Sequence, residues 1–390
     1  MIYIIFGDTF TFPDGSASTN RVYTYAKGFS HNGIAVNVIC FRNDYLENSN
    51  GVSDGIRYFH PFGQTKRNKI FIIRTWLKFM KYINTYRLLK GINKKETIMA
   101  IHVYSIDILT QLFAFLLSKT LRTKLLVERS EHPLRAHYNC VLQRISENLK
   151  IVLETKLYNG IFCISNYLID FYIKKGVKKD GLFVVPSTVD AGRFHGNFTN
   201  PLKYKYILYC GSLTILKDGV NILIESFAKI TDKHPGIYLV LIGEADTLKE
   251  EMILKDLVVK LKKEDRVKFL GKISRNDIPN YLCNATVLAL ARPNSIIANA
   301  GFPSKLTEYL ATGKPIVVTR VGEIPVYLKD NENAFLADPD NVESFALRLD
   351  YVLSNYGLAR KIGERGKDLT ATVFNYNYQT KRMIDFISSL

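Results

Sequence analysis

The chain reads as an α/β protein with two successive parallel sheets joined by crossover helices. Short β-branched runs alternate with longer helical patterns along its whole length. Near the middle the alternation stops at a polar, aperiodic stretch holding Gly and Pro, DAGRFHGNFTNPLKYK (Asp190–Lys205). The 390 residues also exceed what one core usually organises, at roughly 100–200 residues per domain. The expected layout is therefore a first domain over 1–190 and a second over 191–375. A final helical segment over 376–390 carries Met383, Ile384, Phe386 and Ile387 and is expected to pack back toward the first domain.

Each strand rests on a short apolar, β-branched run. In the first half these are Ile2–Phe6, Val36–Cys40, Ile98–Val103, Lys124–Val127, Gly160–Ile164 and Leu182–Val185. In the second they are Tyr206–Tyr209, Tyr238–Ile242, Val267–Leu270, Ala285–Leu290 and Ile316–Thr319. The opening MIYIIFGDTF has no basic leader and too short an apolar run for a signal peptide, so it reads as the first strand. The run TIMAIHVYSIDILTQLFAFLLSK is long enough for a bilayer but is interrupted by His102, Asp107 and Gln111, and reads as a strand followed by a helix.

With 47 % hydrophobic and 23 % charged residues the composition is globular, not disordered. Five scattered cysteines (Cys40, Cys140, Cys163, Cys210, Cys283) show neither a disulfide framework nor metal-ligand spacing, which fits a reducing cytosol and predicts no metal. The net charge of +17 is uneven: +12 falls in residues 1–190 and +5 in 191–390. Lys66 to Lys95 holds ten basic residues and no acidic one, interleaved with Phe71, Trp76, Leu77, Phe79, Met80 and Leu88. Such a stretch suits an anionic membrane surface, a solvated helix face or nucleic acid. Nucleic acid ranks last, because no helix-turn-helix, zinc-finger or RNA-recognition signature accompanies the charge.

In open parallel sheets ligands bind beyond the carboxyl ends of the strands, so chemistry is sought in the loops there. After the first strand, Asp14, Gly15, Ser16, Ala17 and Ser18 form a small-residue loop whose backbone could approach a phosphate, with Ser18 or Thr19 as helix cap. It lacks the GxGxxG pattern of dinucleotide binders. The second domain opens alike, with YKYILYC followed by GSLTILKDGVNILIESF, where Gly211 turns the chain and Lys217 offers a point charge. Glu128, Arg129, Glu131 and His132 cluster after Lys124–Val127, as acid/base groups or as a surface charge cluster. Finally, GFPSKLTEYLATGKPIV (Gly301–Val317) places a turn before a helix whose unpaired first-turn N–H groups and dipole favour an anion.

Four of these segments in this order resemble family 4 glycosyltransferases of the GT-B architecture, two Rossmann-like domains facing a cleft. ANAGFPSKLTEYLATGKPIV is similar to the family's most specific motif, and YCGSLTILKDGVNILIESF to its phosphate loop. VKFLGKIS resembles the segment that meets the nucleobase, and FCISNYLIDFYIKKG with VVPSTVDAGRF the end of the first domain. The resemblance implies that the N–H groups after Gly301 and Phe302 face a donor diphosphate, with Lys305 adding charge, and that Glu308 takes the ribose hydroxyls. It further implies that Lys217 stabilises the leaving diphosphate, that Gly211 and Ser212 line the phosphate loop, and that Lys272 and Ile273 lie by the base. The resemblance also implies that Gly15 and Ser16 approach the reaction centre and that Glu131 or His132 faces the transferred sugar. Three departures stand out: Ala300 where a first glutamate is usual, Ser212 where a phosphate-binding arginine is common, and Glu131 where many members carry histidine.

The expected activity is retaining transfer of a sugar from a nucleotide diphosphate sugar, without a metal or other cofactor, to a saccharide or lipid-linked acceptor in envelope polysaccharide or glycolipid synthesis. The expected place is the cytoplasm, peripheral on the inner face of the cell membrane. An inactive sugar- or polyanion-binding module, a nucleic-acid binder and a GT-B sugar-nucleotide epimerase are the alternatives.

Overall fold

The computed structural model describes residues 1–13, 15, 17–42, 49–62, 68–133 and 141–390. Expectations placed on Asp14, Ser16, Lys66, Arg67 and Cys140 therefore lie outside the described residues. The chain divides into two units, Met1–Thr188 with Tyr376–Leu390, and Val189–Asn375.

In the first unit the described strands are β1 (Ile2–Gly7), β2 (Ala35–Cys40), β3 (Asn50–Ser53), β4 (Ile56–Phe59), β5 (Ile98–Tyr104), β6 (Lys124–Arg129), β7 (Gly160–Cys163) and β8 (Leu182–Val184). They form one sheet in the order β3-β4-β2-β1-β5-β6-β7-β8, parallel except for β3 against β4. The pleat of β1 shows why the sheet needs helices on both faces. Tyr3 and Ile5 enter one core with Tyr25 and Phe29, while Ile2, Ile4 and Phe6 enter the other with Leu89, Ala114 and Leu117.

The β3–β4 hairpin is absent from the sequence expectation. Its turn is Asp54-Gly55, both with positive φ (48° and 78°), the backbone that an Asp-Gly pair adopts in a two-residue hairpin. Polar, short strands hid it from a search for apolar runs.

The C-terminal helix Tyr376–Ser389 belongs to the first unit and crosses the helix Ala17–His31. Met383, Phe386 and Ile387 are buried there, each contributing about 1.5–3 kcal/mol by leaving water. The helices meet at Gly28, where a Cβ would lie 2.7 Å from the Tyr376 carbonyl oxygen.

The second unit has β9 (Lys205–Cys210), β10 (Ile237–Ile242), β11 (Val267–Gly271), β12 (Val287–Leu290), β13 (Ile316–Thr319) and β14 (Phe335–Ala337). All pair in parallel in the order β11-β10-β9-β12-β13-β14. The crossover from β11–β10–β9 to β12 puts the switch in strand order beside β9, where a ligand crevice opens in such sheets.

Asp190–Lys205, read above as a junction, lies inside this unit. Ala191–Phe194 forms a 3-10 turn, Phe194 is buried, and the Val189 N–H donates to the Phe374 carbonyl at 3.1 Å. The expected boundary at 190/191 lies two residues from the observed one at 188/189, and the segment's few apolar and basic side chains anchor it to the second unit.

Beneath the first unit's sheet Arg21 and Glu128 form a buried pair at 2.8 Å, with His102 3.3 Å from the same carboxylate. Arg21 also donates to the carbonyls of Val185 and Pro186, which fixes the end of β8. Burial alone would raise the Glu128 carboxyl, but Arg21 and His102 hold it below the usual range. A carboxyl lowered by folding stabilises the fold above its unfolded pKa and loses that contribution as pH falls through the folded value. Glu128→Gln is therefore expected to cost about 3–5 kcal/mol in urea unfolding at neutral pH, since Arg21 is left buried and unpaired. The mutant should also lose stability less steeply than the wild type on acidification, and equal acid profiles would remove the pair from the account.

Candidate functional site

In the second unit the end of β9 meets the helix Ser304–Ala311. This helix starts behind Pro303 with no side-chain cap, and in its first turn the Leu306 N–H donates to the Pro303 carbonyl at 3.0 Å. Tyr309 locks the helix to β9, accepting a hydrogen bond from the Cys210 N–H at 2.7 Å.

Lys305 lies in the first turn of the helix. Its Nζ donates to Asp218 Oδ2 and to Tyr209 Oη, each at 2.8 Å. Tyr209 Oη donates in turn to the Ser212 carbonyl at 2.5 Å, and Thr214 Oγ1 to Asp218 at 3.2 Å. Burial lowers the Lys305 ammonium while Asp218 opposes it. Burial would raise the Asp218 carboxyl, but Lys305 and Arg292 bring it below its usual range. Gly211 makes this packing possible, because a Cβ there would fall 2.5 Å from Lys305 Cε.

Lys217 is half-buried in the short helix Ile215–Asp218. Its charge acts on both Asp218 and Lys305. Gly219 follows with φ 65°, and a Cβ at that position would meet the Ala291 carbonyl oxygen at 2.0 Å. That close approach brings Arg292 alongside, whose Nε donates to the Lys217 carbonyl at 3.2 Å. The structure thus gathers Gly211, Ser212, Lys217 and Lys305 and adds Tyr209, Asp218 and Arg292. Arg292 was legible in one respect, as a cation just past the end of an apolar strand.

Glu308 stands one turn further along the same helix. Arg193 Nη1 donates to its Oε1 at 3.0 Å, and Arg193 Nη2 donates to the Arg275 carbonyl at 2.9 Å. Arg275 lies in the loop after β11, which also holds exposed Lys272 and half-buried Ile273. The two residues expected near a base are thereby tied to the carboxylate expected near a ribose. Nothing in the sequence gives Arg193 away, since its partners are 82 and 115 residues distant.

Gly301 is buried at the helix entry. The Phe302 side chain is 3 % exposed, stacked on Phe374 at 5.2 Å and edge-on to Tyr327 at 5.4 Å. It is a core side chain, which leaves to the backbone the ligand contact expected at that position.

In the first unit Glu131 is exposed after β6, and His132 packs edge-on against Tyr167 and Phe171, with centroids 5.9 and 5.1 Å apart. Gly15 is exposed, and a Cβ there would strike the Thr11 and Thr19 hydroxyls at 2.1 and 2.3 Å. Ser18 and Thr19 lie inside the first helical turn and donate to the Thr9 and Thr11 carbonyls, both at 2.7 Å, instead of capping the helix. Among the described residues no group of three His, Cys, Asp or Glu is placed to hold a metal ion.

Phe302→Ala should cost about 3–5 kcal/mol in denaturant unfolding, as for other buried aromatic truncations. Loss below about 1 kcal/mol would show that the side chain is not part of the core.

Residues 190–369 match the family model for glycosyl transferases group 1. An uncharacterized glycosyltransferase of Methanocaldococcus jannaschii is 31 % identical over 166 residues, covering 42 % of this chain and 39 % of that protein. The lipopolysaccharide core biosynthesis glycosyltransferase LpsE of Rhizobium meliloti is 25 % identical over 173 residues, covering 44 % of this chain and 47 % of its own. The matched stretch spans less than half the length of either relative. The crystal structure of Anabaena HepE in complex with UDP superposes over 100 % of both chains with a TM-score of 0.71 at 16 % identity. That likeness shows the fold, which is GT-B.

Proposed function

With residues 190–369 forming a glycosyl transferase group 1 domain, we propose that the protein transfers a sugar from a nucleotide diphosphate sugar to an acceptor hydroxyl. The observation that carries this is the pairing, on one helix, of a cation-rich end and a carboxylate. Lys305 lies in the first turn of a helix without a side-chain cap, the charges of Lys217 and Arg292 act on it, and Glu308 follows one turn later. A diphosphate suits the first and ribose hydroxyls the second. The UDP bound by Anabaena HepE, which shares the fold, supports a nucleotide of this class.

The transfer proceeds with retention: the departing diphosphate oxygen takes the acceptor proton on the face from which it leaves. Charge building on the leaving group is met by Lys217 and by the helix start, groups fixed before reaction and so costing no reorganisation. Arg292 supplies part of the charge that an arginine at the Ser212 position would give. The proposed set is completed by Glu131 or His132 near the sugar, Gly15 and Ser16 at the reaction centre, and Lys272 and Ile273 at the base.

Release of nucleoside diphosphate from UDP-, GDP- and TDP-sugars with a crude lipid extract tests this. One donor should turn over, and Glu308→Ala should reduce its use by tenfold or more, in line with about 1.5–3 kcal/mol for a charged hydrogen bond. No release from any donor and no thermal stabilisation by any nucleotide would refute it.

The acceptor is proposed to be lipid-linked and met at an anionic membrane, on the inner face of the cell membrane, in envelope polysaccharide or glycolipid synthesis. The support is the helix Phe71–Asn93, on which Ile72, Trp76 and Phe79 are exposed at 77, 61 and 58 %, at the spacing of a single helical stripe. Lys78, Arg87 and Lys90 are exposed on the same helix. Lys81 has another role, lying over the rings of Phe41, Phe62 and Tyr82 at 4.5–5.3 Å. Among the described residues no helix is long and apolar enough to cross a membrane, so contact would be by surface partition.

Trp76 is the single tryptophan of the chain, so its emission reports this contact directly. Phosphatidylglycerol vesicles at low salt should shift it to the blue, and zwitterionic vesicles should do so less. Neutralising Lys78 and Arg87 should weaken binding about tenfold or more, at about 1 kcal/mol per basic residue. An unshifted spectrum with anionic vesicles would sink the membrane reading.

A further inference from the structure

We propose that Arg193 is a positioning residue for the donor, holding the Glu308 carboxylate where the ribose hydroxyls meet it and fixing it to the loop after β11. The inference rests on the ribose role given to Glu308 above. Arg193 sits on the 3-10 turn Ala191–Phe194, at the start of the second unit, and buried Phe194 beside it anchors that turn. One guanidinium divides its donors between two elements, Nη1 to Glu308 Oε1 at 3.0 Å and Nη2 to the Arg275 carbonyl at 2.9 Å. Both side chains of the ion pair are about four-fifths shielded, with 19 and 20 % exposure. Solvent therefore screens the pair less than it would a surface pair.

The shape of the group matters as much as its charge. A planar guanidinium reaches the carboxylate and the carbonyl with a fixed angle between them, which a lysine ammonium, a point charge on a flexible stem, does not reproduce. A carboxylate fixed in this way meets ribose without reordering at the moment of binding.

The electrostatics agree with this placement. Burial raises the Glu308 carboxyl, and Arg193 opposes it, followed by Arg275. Two titratable neighbours stay uncharged: burial pushes the Cys210 thiol at the end of β9 up to about 12 and lifts the Tyr309 hydroxyl well above its usual value. Arg193 is thus the main charge keeping Glu308 ionised.

Calorimetric binding of UDP and 2′-deoxy-UDP, with GDP and 2′-deoxy-GDP in parallel, tests the role. A merely structural arginine would leave the preference for ribose unchanged. The wild type should prefer the ribonucleotide by about tenfold, and Glu308→Gln should bring that ratio near one. Arg193→Gln should cut the ratio to about threefold or less while weakening the deoxynucleotide by no more than about twofold, and the double mutant should match Glu308→Gln alone.

Arg193→Lys, which keeps the charge, should fall between, and it decides the matter if Arg193→Gln does not fold. In Arg193→Gln the acid limb of ribonucleotide binding should move to higher pH, because a carboxyl without its cation protonates sooner on acidification. A full ribose preference in both Arg193 variants, with Glu308→Gln abolishing it, overturns the positioning role and leaves the reading of Glu308 standing. A full preference in Glu308→Gln, or no binding of either nucleotide pair to the wild type, overturns both.

Discussion

The candidate site of the second unit depends on one buried ion pair, Asp218 with Lys305. Asp218 is 3 % exposed and faces Lys305, Arg292 and Lys217, while Lys305 reaches it over Gly211. Without the carboxylate, three cations would share a poorly solvated space, and repulsion at an effective dielectric near 20 is several kcal/mol at contact distance. With it, the cations remain close together and keep an excess of positive charge. The pair therefore lets the fold hold a cation cluster at a strand end before any anion arrives.

That pair also explains why two backbone positions have no room for a side chain. Gly211 leaves space for the Lys305 stem, and Gly219 lets the chain turn with positive φ against the Ala291 carbonyl. Through the Lys217 carbonyl, the second contact fixes Arg292. Local sequence, the register of β9 beside β12 and the electrostatics of the site form one chain of cause, running from small residues to close packing to clustered charge.

How much of this the sequence disclosed follows from the range of each interaction. The buried parallel strands were legible because apolar, β-branched runs are local signals, and Ile316–Thr319 coincides with its expected limits. The β3–β4 hairpin was missed although Asp54-Gly55 marked its turn, because Asn50–Ser53 is not apolar, and β14 was missed because three residues carry almost no periodicity. Glu308 and Lys305 stood out within their motif. Arg193 did not, since only folding brings it to a partner 115 residues away, and its polar surroundings read as a linker. For Phe302 the motif pointed to the backbone, and the burial of its ring against Phe374 was invisible without the fold.

Lys305 and Glu308 are three residues apart on one helix, a spacing at which opposite charges ordinarily pair with each other. Such a pair would hold the two side chains against each other on the helix surface. The structure gives each a different partner, Asp218 for the lysine and Arg193 for the glutamate. Asp218 is contributed by the helix after β9 and Arg193 by the turn that opens the unit, so each charge is held by an element remote in sequence. The helix thereby keeps a cation cluster and a carboxylate three residues apart, about 4.5 Å along its axis. This polarity suits a ligand with phosphate at one end and hydroxyl donors at the other, and it depends on partner choice more than on the number of charges present.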